Sequence, residues 1–171
     1  MDIQQIQMQY LPEEDRLLLR MNTAEQSQLS FLLTRRYVKL LWPAMLKVMG
    51  EAEPTLQKLD HASQRAAVAF KQEQLMAAAD TEQQFNEEPT HYPLGEVPVL
   101  LANIAIGKNK KGHSVLRIHD KEGRGINIEG GHKLMHYLYN ALGQVVDKIG
   151  WEIPLARLGQ EAPPPPEERL N

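Results

Sequence analysis

From residue 3 the chain alternates, with Ile6, Met8 and Tyr10 on one side of an extended segment and glutamines on the other. An acidic, Pro-containing turn, LPEED (11–15), leads to a second apolar run, RLLLRM (16–21). NTAEQ (22–26) is a further turn, and QLSFLL (28–33) a third strand. The period then changes from two to 3.6: Val38, Leu41, Ala44, Met45 and Val48 predict a helix capped by Thr34. Pro43 should bend that helix, and Gly50 should end it. From residue 97 the order returns, as strand VPVLLANIAI (97–106), turn GKNKKG, strand HSVLRIH (113–119), turn DKEGRG and strand INIE (126–129). Gly130 and Gly131 then open a helix over 132–150.

The two stretches align without a gap when Leu19 is set on Leu116, an offset of 97 residues. Leu29 and Phe31 then meet Ile126 and Ile128, and Arg20 meets Arg117. The expected fold class is α+β, two pseudo-repeated β-β-β-α units making a six-stranded antiparallel layer backed by two helices. Matching positions in the two units are expected to share a job. The units, 1–50 and 93–151, belong to a single domain over 1–155, with a helical insert at 51–92. Within the insert, Leu56, Leu59, Ala62, Ala66, Phe70 and Leu75 form a narrow apolar stripe. It predicts one long helix over 54–86, which would lie on the domain, pair with a second copy in a homodimer, or do both. Residues 156–171, with four consecutive prolines, are expected to be a flexible tail.

Composition narrows the chemistry. The 171 residues are 42% hydrophobic and 24% charged and include no cysteine, which excludes disulfides, thiol nucleophiles and thiolate-bound metal. The first residues lack the basic and apolar blocks of a signal peptide, and no apolar run reaches the roughly 18 residues of a membrane span. A cytoplasmic, reducing compartment and no membrane partner are expected. The net charge of −3 is unevenly spread: residues 51–96 carry three basic and nine acidic groups, residues 97–151 eight basic and four acidic. A partner meets the local charge, not the total.

One polar sheet face should carry Arg20 and Arg117, with Asn22, His119, Ser30, Asn127 and Gln28 around them. The guanidinium groups would hold phosphates or stack on bases, or else pair with nearby carboxylates. Lys108, Lys110 and Lys111 add charge at a hairpin. Arg35 and Arg36 stand in the first turn of a helix, where they oppose its dipole. That placement suits a nearby anion, or pairing with the acidic 13–15 turn or the acidic insert. Two successive β-β-β-α units over 3–50 and 97–150 resemble the plan of the PUR and Whirly single-stranded nucleic-acid-binding proteins, which have four strands per repeat. The resemblance implies a non-enzymatic binding module for single-stranded DNA or RNA. The segments YLPEEDRLLLRMNT and LTRRYVKLLWP also resemble an uncharacterised bacterial protein family, which implies no activity. A protein–protein adaptor acting through the long helix is the alternative, and an enzyme the third.

Other motifs carry less. His132 and His136 have the i, i+4 spacing of paired metal ligands, but Lys133 stands where a metalloprotease needs glutamate. His113, His119 and Asp120 could approach one another around zinc or nickel; the blander expectation is two helix-surface histidines, no metal and no cofactor. GKNKKGHS (107–114) has phosphate-loop glycine spacing, but His113 replaces the lysine and a strand follows where a helix is required. No serine has a recognisable base beside it, so no catalytic residue is assigned.

Overall fold

A computed structural model describes residues 3–78 and 84–158. Strands β1 (Ile3–Leu11), β2 (Arg16–Thr23) and β3 (Gln28–Thr34) form an antiparallel meander, and β4 (Val99–Leu100) adds to β3 in parallel. A second sheet holds β5 (Asn103–Lys108), β6 (Ser114–His119) and β7 (Gly125–Glu129), all antiparallel. The helices are α1 (Arg35–Gly50), α2 (His61–Ala77) and α3 (Lys133–Ile149), with a short 3-10 turn at Leu56–Lys58. The fold is therefore α+β, and three strands followed by a helix occur twice.

The expected six-stranded layer does not form. The predicted strand 97–106 divides, and its two parts belong to different sheets. Leu101 donates its N–H to Leu32 O at 3.0 Å, whereas the Ala102 N–H goes to His119 O at 3.0 Å. The chain thus changes partner between consecutive residues. The division lets each sheet turn toward the other unit's helix: α1 lies mainly against β5 and β6 and α3 mainly against β1, with smaller contacts to β3 and β7. Each helix consequently covers strands remote from it in sequence.

One apolar cluster fills the space between these layers. Leu17, Leu19, Met21, Leu29, Phe31 and Leu33 come from the first sheet, Leu116, Ile118 and Ile128 from the second. They meet Val38, Leu41, Met45 and Val48 of α1 and Met135, Leu138 and Leu142 of α3. Truncating any such fully buried leucine costs about 2–5 kcal/mol. Thr34 caps α1 as expected, its hydroxyl accepting from the Tyr37 N–H at 3.1 Å, and Pro43 lies inside that helix. His132 does the same for α3, its Nδ1 accepting from the Leu134 N–H at 3.2 Å. After α3, Trp42 donates to Ala156 O at 2.7 Å and Leu158 N donates to the Tyr139 hydroxyl. Residues up to 158 are thereby held on α1 and α3, and the remainder of the Pro-rich stretch lies outside the described residues.

The insert departs from its expected helix over 54–86. Asp60 starts α2 by accepting from the N–H groups of Ala62 and Ser63, both at 3.0 Å, and Pro54 precedes only the 3-10 turn. Residues 84–89 have no helix. The expected apolar stripe is largely outward: Ala62 and Ala66 are exposed and Phe70 is 62% exposed, while Val68, outside the stripe, is buried. The docked side of α2 is held by polar groups that reach backbone carbonyls. Lys71 donates to Gly131 O at 2.7 Å, Gln72 to His136 O at 3.3 Å and Gln64 to Leu56 O at 3.0 Å. Hydrophobic periodicity does not register such a face. No helix among the described residues is long and apolar enough to cross a membrane.

Candidate nucleic-acid interface

Alternation along β2 and β6 sends Leu19, Met21, Leu116 and Ile118 into the core and Arg20 and Arg117 to the opposite faces. Arg20 pairs across the sheet with Gln7 and Ser30, and Arg117 with Ala105 and Asn127. The two arginines thus occupy like places on the middle strands of two meanders. They lie in separate sheets, not on one continuous surface.

Their surroundings differ. The face around Arg20 is covered by residues 84–91, which run across it as a strap. Arg20 Nη1 meets Glu87 Oε2 at 2.6 Å, Nη2 bonds the Gln7 amide oxygen, and the Phe85 ring centroid lies 5.1 Å from Cζ. Asn22 donates to Asn86 O at 2.9 Å, and Gln5 donates to Gln84 O at 2.8 Å while accepting from Asn86 N at 3.0 Å. Backbone pairs fix the far end: Thr90 N donates to Gln26 O and Gln28 N to His91 O. The Arg20 Nε is buried without a partner.

The face around Arg117 is open. Its side chain is exposed, and among the described residues it has no hydrogen bond or ion pair. Its guanidinium lies over Gly107, where a Cβ would come within 3.3 Å of Nη2. Ala105, its partner on β5, is exposed beside it. Beyond β5 the side chain of Asn109 organises the hairpin, accepting from the N–H groups of Lys111 and His113. Lys110 and Lys111 project from that turn with no partner among the described residues, and Lys108 bonds the Gln57 amide oxygen.

The acidic groups nearby are largely occupied. Asp120 accepts from the Arg124 N–H at 2.8 Å and from its guanidinium at 2.7 Å. Burial alone would raise the Asp120 pKa, but these bonds outweigh it and hold the carboxyl below its usual range. Glu129 meets Asn109 at 2.9 Å and His113 at 3.4 Å. Arg35 and Arg36 sit elsewhere, at the start of α1. The Arg35 charge helps to lower the pKa of Asp15, after the larger effects of hydrogen bonds from Trp151 and Tyr10, and its Nε is buried without a partner. Arg36 is exposed and, among the described residues, unpaired.

The histidines are not a pair of surface ligands. His132 is a cap, and His136 is buried, its Nδ1 2.7 Å from Gln72 Oε1 beside a cavity of about 190 Å³. Among the described residues no group of three His, Asp or Glu side chains is placed to hold a metal. Phe85, which the periodicity hid inside the expected helix over 54–86, and Glu87, just beyond its end, are functional candidates. Pro89 and Pro93 were the available signal, because a residue before proline is driven toward extended backbone. Comparison with protein-family models, curated protein sequences and solved structures finds no match to this chain.

Proposed function

We propose that the protein is a non-enzymatic binding module that takes single-stranded nucleic acid on the outer face of the β5–β7 sheet. The free guanidinium of Arg117, exposed over Gly107 in the middle of that face, carries the reading. Residues 103–132 hold six basic and three acidic groups, and all three acids have partners, Asp120 and Glu122 on Arg124 and Glu129 on Asn109. A flat guanidinium among small neighbours offers both hydrogen-bond donors to phosphate and a plane for a base. Lys110 and Lys111 extend the positive charge along a path suited to an extended backbone. Arg117→Ala should weaken retention of a labelled oligonucleotide, and removing either lysine should lower the salt slope by about 1. Retention that is absent from the native chain, or indifferent to salt, overturns the reading.

A second reading, association of two copies, is favoured by one observation: Phe70 and Leu59 stand 62% and 43% exposed along α2 and the turn before it. A second copy laid along α2 would cover both side chains.

A further inference from the structure

The strap over the first sheet has the chemistry of a ligand. An aromatic ring lies 5.1 Å above the Arg20 guanidinium, and a carboxylate accepts from its Nη1 at 2.6 Å and its Nη2 at 3.3 Å. A nucleotide brings the same two elements, a flat ring and an anion. Beside them, Gln5 accepts from one backbone N–H and donates to one backbone carbonyl of the strap, a donor–acceptor pair of the kind found on a base edge. The strap also contributes two glutamates and no lysine or arginine over residues 84–91.

Its attachment has two parts. Thr90 and His91 are paired backbone to backbone with Gln26 and Gln28, the hydrogen bonds that anchor a strand. Residues 84–87 are held through side chains of the sheet, and the principal ion pair, Arg20 with Glu87, leaves the carboxylate 57% exposed. Pro89 lies between the two parts. Arg20 Nε gains nothing from the strap, so the cover leaves a buried donor unsatisfied. A phosphate, with more acceptor oxygens than a carboxylate, can satisfy it.

We infer that the β1–β3 face around Arg20 is a second site for single-stranded nucleic acid, and that residues 84–87 occupy it as an internal mimic. A base replaces Phe85 over the guanidinium, and a phosphate replaces Glu87 at its nitrogens. The inference rests on the reading of the β5–β7 face, and extends it from one open site to one open and one covered.

The test uses the full chain, a short fluorescent oligothymidylate and low ionic strength. Phe85→Ala combined with Glu87→Gln should raise the stoichiometry from one oligonucleotide per chain to two. Adding Arg20→Ala should remove the gained site, and Arg117→Ala should remove only the original one. If the native chain binds and the double variant gains nothing, the covered site is wrong while the open one stands; if neither binds, both fall. A gained site that takes a peptide of residues 84–91 but no oligonucleotide overturns the assignment to nucleic acid. Should the double variant unfold, amide exchange in the native chain decides. The Asn86 N–H, bonded to Gln5, should exchange faster when oligonucleotide is added, and an unchanged rate overturns the inference.

Discussion

His136 holds a neutral imidazole inside the protein. Burial lowers its pKa to about 4, and the Lys71 charge adds to the effect. The unfolded chain takes up that proton near 6.5, before the folded one does. Stability is therefore unaffected by this group above pH 6.5 and falls from there to about 4, by at most about 1.4 kcal/mol per pH unit. Denaturation midpoints across this window should show the slope, and His136→Gln should flatten it. Asp15 and Asp60 act in a lower range. Hydrogen bonds from Trp151 and Tyr10 lower the first carboxyl and bonds from Ser63 the second, so their contribution is lost only as pH falls below 3.8. Gly130 makes a separate demand: a Cβ there would lie 2.1 Å from Val48 O. Gly130→Ala should cost about 1–3 kcal/mol, read as a lower Tm, because two backbones must part. Single residues were legible where alternation governs them, as for Arg20 and Arg117. Phe85 and Glu87 were not, since their place depends on a contact with β2, more than sixty positions earlier.

At the level of elements, boundaries followed local chemistry closely in β1–β3, in β6 and β7, and in α1 and α3. The Thr34 cap and the change of period from two to 3.6 are decided within a few residues. Two elements failed for the opposite reason. The strand over 97–106 reads as one apolar run, yet tertiary pairing divides it between Leu32 and His119. Helix α2 buries Val68 while its amide and ammonium side chains grip carbonyls of the turn before it, of Gly131 and of α3, so its docked face is one apolar periodicity does not mark, and the stripe of Ala62, Ala66 and Phe70 stays outward. That stripe now bears on assembly. If two copies meet along α2, Phe70→Glu should yield monomers in sedimentation while changing stability by no more than about 0.5 kcal/mol, as an exposed site allows. A native chain that is already monomeric removes the second reading.

For the molecule as a whole, the exchange of helices is the dominant fact. Because α1 rests mainly on β5 and β6 and α3 mainly on β1, each three-stranded unit takes most of its cover from the other unit's helix. Residues 1–92 expressed alone should show no cooperative thermal transition, and joining them with 93–158 in one tube should restore it. Circular dichroism melts of the two pieces, singly and mixed, check this. The α+β class and the order of elements could be read from periodicity, but the exchange could not, because apolar helix faces do not record which sheet they meet. Closure also brings Trp151 to Asp15, with Nε1 to Oδ1 at 2.6 Å, so the first turn of the chain waits for nearly its last described residues. During translation the apolar side of β1 emerges early and stays bare until α3 has left the ribosome. Through that interval Ile6, Met8 and Tyr10 are open to contact with a neighbouring chain.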